Sequence, residues 1–177
     1  MAKCHVLNLK TDLTHQEHIY SGCVRLFMER HLYMRKIILL LALGLSLYAL
    51  EIDNFASKMG YYRDYNMALN TAKKQHKPLM LLVGTDYCPW CRKFERKTLH
   101  YPKVVTVIKQ KFVAVVIDKN KDKGSYPNSY KSPMTPAVFF INPNNGNVLD
   151  TSVGYIRKND YLEKLESVLF LYSQKGK

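Results

Sequence analysis

Three apolar runs constrain this chain more than any other feature. They are residues 78–84 (PLMLLVG), 112–118 (FVAVVID) and 137–142 (AVFFIN). Each has strand length, breakers or charges at its ends, and no apolar–polar alternation. A strand that is apolar on both faces belongs inside a sheet covered on both sides. The intervening segments supply the covers. Tyr65, Ala68, Leu69 and Ala72 recur at helical spacing within residues 62–76, and Lys77-Pro78 stops that segment. Residues 90–99 and 102–110 read as further helices, and 119–135 as a polar loop. Asn145-Gly146 signals a hairpin, so residues 148–153 are expected to return antiparallel. Asp160 and Glu163 have capping-box-like spacing before a last helix lined by Leu162, Leu165, Val168 and Leu169. This order predicts an α/β fold: a central mixed sheet of about four to five strands flanked by helices.

The N-terminal part has a different character. Residues 37–50 (IILLLALGLSLYAL) form an uncharged run of 14 residues, preceded by Met34-Arg35-Lys36. A basic start, an apolar stretch and a small residue, Ala49, match an export signal. The run is shorter than the ~20 residues that span a bilayer. Residues 34–49 are therefore expected to be a signal peptide, cleaved after Ala49, or a short membrane anchor. A buried core helix is the alternative. Residues 1–33 are either untranslated, with Met34 as the true start, or a basic N-terminal extension. Cys4, His15, His18 and Cys23 within them match no paired metal-ligand spacing. Residues 50–177 are left as one folded domain.

Charge narrows the partners. Lys and Arg number 27 against 14 Asp and Glu, a net charge of +13. Residues 1–49 hold six of the cations and three of the acids, which leaves +10 on residues 50–177. The basic excess belongs to the domain and favours anionic partners, either acidic proteins or an anionic membrane. The lysines are scattered and no arginine–aromatic platform is present, so nucleic acid is not expected.

The two cysteines of the domain lie in Cys88-Pro89-Trp90-Cys91. Pro89 suits the first turn of a helix, which puts Cys88 at the N-cap. Free N–H groups and the helix dipole there favour a thiolate. Two intervening residues bring the sulfurs within disulfide reach. Cys88 is expected to attack as nucleophile and Cys91, more buried, to resolve the mixed disulfide. A structural disulfide and a metal or haem site are the competing readings. Structural zinc normally takes a second ligand pair. Covalent haem attachment wants His after the second Cys, where Arg92 stands.

With LMLLVG, the Asp86–Phe94 stretch DYCPWCRKF, FVAVVID and Met134-Thr135-Pro136-Ala137 in place, the sequence resembles the thioredoxin superfamily over most of residues 60–172. It is most similar to bacterial periplasmic thioredoxin-like proteins with a CPxC-type motif. The resemblance implies that Pro136 is cis and faces the dithiol. Thr135 would pair through its backbone with an extended substrate. Tyr87 stands where the superfamily often has an aromatic and is expected to shield the rim. Trp90 is expected to be partly exposed, lying against substrate or packing over its helix.

One position departs from the pattern. Thioredoxins place a buried carboxylate six residues before the first Cys, and here that residue is Leu82. Glu95 could substitute but reads as a surface charge, and Asp86 reads as a loop residue. Water is a third proton carrier. The implied function is exported thiol–disulfide exchange, reducing, isomerising or forming protein disulfides. No cofactor is expected beyond the redox-active Cys88–Cys91 pair. The partners would be disulfide-containing client proteins and a membrane thiol carrier or other redox protein. The alternative is a non-catalytic binding module for an anionic protein or membrane partner.

Overall fold

Alternate residues of the apolar runs face different covers. The computed structural model describes residues 33–38 and 51–175. Its elements between Leu50 and Lys177, which form one compact unit, are α1 (Glu51–Met59), α2 (Tyr65–Gln75), β1 (Leu79–Gly84), α3 (Pro89–Phe94), a π-helical turn (Glu95–Leu99), α4 (Pro102–Lys111), β2 (Val113–Asp118), a 3-10 turn (Asn128–Tyr130), β3 (Ala137–Ile141), β4 (Val148–Val153) and α5 (Lys158–Lys175). The strands form one mixed sheet in the order β2-β1-β3-β4. β1 runs parallel to β2 and antiparallel to β3, and β3 pairs antiparallel with β4.

Successive strand side chains point to opposite faces. Leu79, Leu81 and Val83 therefore pack with Val113, Val115, Ile117 and Phe139 under α2. Met80 and Leu82 pack with Ala114, Val116, Val138 and Phe140 under α1, α4 and α5. Every residue of β1, β2 and β3 is buried. Two-sided burial is the physical reason these runs lack alternation.

Several boundaries differ from the sequence reading. α2 starts at Tyr65 because the Asp64 side chain caps it, accepting from the Met67 N–H at 2.7 Å. α5 begins at Lys158, so Asp160 lies in its first turn and is not its cap. Helix α1 is an addition. Its Ile52, Phe55, Ala56 and Met59 are spaced i, i+3, i+4, i+7 and are all buried against the sheet. The expected helix over residues 90–99 divides into α3 and the π-helical turn. Residues 33–38 are a short exposed helix. The rest of the expected signal segment, 39–49, lies outside the described residues, as do residues 1–32 with Cys4, His15, His18 and Cys23. Among the described residues no helix is long and apolar enough to cross a membrane.

Phe94 ends α3 in the core that carries the site. It is 1% exposed and meets the Tyr161 ring edge-on at 5.1 Å. Phe94→Ala is expected to lower stability by about 3–5 kcal/mol. The check is urea unfolding, where the midpoint should fall with little change in slope.

Candidate active site

Backbone geometry builds the site from Cys88 outward. Cys88 is extended (φ −108°, ψ 101°) and caps α3, with Pro89 in the first turn. Its Sγ accepts the Cys91 N–H at 3.0 Å. The two cysteines are joined by a disulfide, with Cα atoms 5.1 Å apart. Both are buried, Cys91 at 3% exposure and Cys88 at 8%. A second donor comes from the loop before β3. The Thr135 hydroxyl donates to Cys88 Sγ at 3.4 Å, and the Thr135 carbonyl oxygen lies 3.6 Å from the same sulfur. The Thr135–Pro136 peptide bond is cis. Pro136 and Cys91 line one narrow crevice. The fold thus brings Cys88, Cys91, Thr135 and Pro136 together.

The aromatic residues are arranged differently. Trp90 is 56% exposed, and its ring lies 6.4 Å from that of Tyr155. The Lys93 ammonium sits 4.6 Å from both ring centroids. Tyr87 is 87% exposed. That is too open to shield the disulfide, so the expected rim role is not what its placement provides. Met134, next to Thr135, is also exposed.

The loop leading to Cys88 is held by carboxylates. Asp118, at the end of β2, is 2% exposed. Its Oδ2 accepts the Asp86 N–H at 3.1 Å, and its Oδ1 accepts those of Asn120 and Lys121 at 2.8 and 3.0 Å. Asp86 is in the loop, as read from sequence, but it is buried. Its carboxylate accepts the Ile52 N–H at 3.3 Å and pairs with Lys121. That hydrogen bond raises the Lys121 ammonium above its ordinary value. Arg63 braces the same end of the sheet, bridging Asp53 at 2.5 Å and Asp122 at 2.9 Å.

Glu95 corrects the sequence reading most directly. It is not a surface charge: it is 6% exposed and ion-paired with Arg92 at 2.8 Å. It lines the crevice shared by Leu82, Cys91 and Pro136. The π-helical turn starts at Glu95, and such wide turns recur at functional sites. Leu82 lines the same crevice, whose acidic residue is therefore Glu95 and not the strand position. The crevice leaves no room for a water molecule.

Two features had little or no local signal. Asp118 could have been suspected, because an Asp that ends an apolar run before a polar loop is placed to accept the next N–H groups. Tyr155 reaches Trp90 only through the tertiary fold.

Two donors on Cys88 Sγ favour its ionised form. Thr135→Val is expected to raise the Cys88 thiol pKa in the reduced protein by about one unit. Ultraviolet thiolate absorbance followed against pH measures it. An unmoved titration would remove Thr135 from the activation of Cys88.

Comparison with known proteins agrees with this fold. Residues 65–169 match a family described as the thioredoxin-like domain. A thioredoxin from Thermus thermophilus superposes with a TM-score of 0.59 at 22% identity, covering 66% of this chain and 92% of that one. The C-terminal domain of Neisseria meningitidis DsbD, oxidised form, gives 0.50 at 23% identity, covering 60% and 97%. In sequence, the chain is 32% identical over 54 residues to spermatogenesis-associated protein 20 of Rattus norvegicus. That match covers 30% of this chain and 7% of the rat protein.

Proposed function

The chain belongs to the thioredoxin-like domain family, and on that premise we propose that it is an exported thiol–disulfide oxidoreductase working through Cys88 and Cys91. The observation that carries the reading is Cys88 Sγ at a helix N-cap, joined to Cys91 and receiving hydrogen bonds from the Cys91 N–H and the Thr135 hydroxyl.

In the reducing direction, the Cys88 thiolate attacks one sulfur of a client disulfide. A mixed disulfide forms and one client thiolate leaves. Cys91 gives up its proton and attacks Cys88 Sγ, releasing the second client thiolate. Two electrons pass to the client, and the protein is left with the Cys88–Cys91 disulfide. A thiol donor, membrane-bound or soluble, must reduce it again. In isomerisation the freed client thiolate attacks another client disulfide, and the client thiolate released there displaces Cys88, so no reductant is consumed. Pro136 walls the dithiol, and Thr135 offers its backbone to an extended client segment. The uncleaved or cleaved run at residues 37–50 would deliver the domain across a membrane to the periplasm or an equivalent compartment.

We assign receipt of the Cys91 proton to Glu95, a reading supported by its lining the same crevice. Glu95→Gln is expected to slow resolution of the mixed disulfide about tenfold near neutral pH, the ordinary scale for general-base catalysis being larger. The sign of the pH dependence follows. The defect should shrink as pH rises toward the ordinary thiol pKa of about 8.5, where Cys91 ionises unaided. A defect that is constant with pH would assign Glu95 a packing role instead.

Insulin reduction and thiol-donor oxidation test the activity as a whole. Cys88→Ser should abolish both, and Cys91→Ser should accumulate a client mixed disulfide visible on non-reducing gels. A reduction potential near about −270 mV would mark a reductant, and one near about −120 mV a disulfide donor. Wild type as inactive as Cys88→Ser in both directions would leave the binding-module reading.

A further inference from the structure

Lys93 is not an isolated cation beside the disulfide. It stands between Trp90 and Tyr155, 4.6 Å from each ring centroid. One helical turn further on is Lys97. Lys97, Tyr155, Arg157 and Lys158 line a surface cavity of about 380 Å³ that begins where the Trp90–Tyr155 pair ends. Lys93, Lys97, Arg157 and Lys158 are all exposed. None of the four is joined to an acid by an ion pair among the described residues. Lys158 instead lies over the Tyr101 ring at 4.4 Å. Asp160 is the one carboxylate that lines the cavity. Four cations and two aromatic faces thus run from the rim of the dithiol into a concave surface.

Resting on the oxidoreductase reading, we propose that this tract selects client polypeptides with acidic residues flanking the reacting disulfide. The occupant follows from the chemistry. A concave surface of one sign concentrates opposite charge and raises encounter rates. Trp90 and Tyr155 present flat apolar faces to a polypeptide while Lys93 tops both rings. An anionic bilayer fits less well. The tract adjoins Cys88 through Trp90, so a flat lipid surface lying on it would cover the disulfide. Charge complementarity at this position acts on client choice and association, and it weakens with salt.

The test uses the full chain and three disulfide peptides identical except for flanking Asp/Glu, Asn/Gln or Lys/Arg. The acidic peptide is expected to exchange about tenfold faster than the neutral one at low salt, with the ratio falling toward one in high salt. Lys97→Glu/Arg157→Glu/Lys158→Glu should bring that ratio to one or below. Because turnover could fail for other reasons, binding is read separately. Quenching of Trp90, the only tryptophan, is titrated with the acidic peptide carrying Ser in place of Cys. Binding that is salt-sensitive and lost in the triple variant supports the tract, even if no peptide turns over and the oxidoreductase reading falls. Turnover with equal rates for acidic and neutral peptides, or a preference that survives charge reversal, overturns the inference and leaves the oxidoreductase reading standing. Binding of the triple-variant-sensitive kind to phosphatidylglycerol vesicles, with no peptide preference, also overturns it in favour of a membrane surface.

Discussion

The site depends on one buried carboxylate. Asp118 ends the apolar β2 strand and turns three backbone N–H groups toward itself: two from the chain that follows and one, Asp86, from the loop after β1. Asp118 is 2% exposed, so these donors replace the water its carboxylate gives up on burial. The parallel pairing of β1 and β2 brings Gly84 level with Asp118, so both loops leave the sheet at one level. Asp86 then anchors the start of α1 through Ile52. Cys88, two residues beyond Asp86, inherits its position from this junction before any of its own contacts are made.

Behind Cys91 the crevice combines an apolar strand residue with an acid from the following helical turn. The strand position, Leu82, is apolar and adds to core packing. The acid arrives from the other side, on the first residue of a π-helical turn, paired with Arg92 one turn earlier. An ionised carboxylate in a dry crevice is tolerable only with such a partner. The pair keeps Glu95 charged-compatible while leaving it beside Cys91, and the turn after it continues to Thr98, whose hydroxyl donates to the Ile156 carbonyl at 2.6 Å. That bond ties the dithiol helix to the segment carrying Tyr155 and Arg157.

The sheet was legible because burial on both faces leaves uninterrupted apolar runs of strand length, shorter than the 14-residue run at 37–50. The strand at 148–153 and the helix through Leu165 and Val168 were legible for a related reason: one local signal, Asn145-Gly146 or a 3.6 period, sufficed for each. The dithiol was legible from four consecutive residues. Helix α1 carries a clear i, i+3, i+4, i+7 pattern, but it directly follows the 37–50 run, whose continuous hydrophobicity hides a period. Glu95 was misread because its charge outweighed its spacing: it stands four residues after buried Cys91, on the same helix face. Tyr87 was misread because the position of an aromatic in a motif does not say which way it points. The grouping of Trp90, Lys93 and Tyr155 joins residues more than sixty positions apart, a separation no sequence window covers.

The same tertiary pairings account for where the positive charge of the domain is felt. Of the 11 acids in residues 50–177, seven are tied to a cation or to backbone N–H groups. Asp53 and Asp122 hold Arg63, Asp86 holds Lys121, Glu95 holds Arg92 and Asp150 holds Lys164. Asp64 caps α2 and Asp118 takes backbone N–H groups. Their charges are largely neutralised within a few ångströms. Among the described residues the cations they engage are four, Arg63, Arg92, Lys121 and Lys164. The net charge of +10 is unchanged by these pairings, but they decide where on the surface it is felt. Beside Trp90 and Tyr155 the exposed cations Lys97, Arg157 and Lys158 share one concave surface with a single carboxylate, Asp160, so positive potential is focused there. Where the basic charge acts is therefore decided by how the fold distributes its acids.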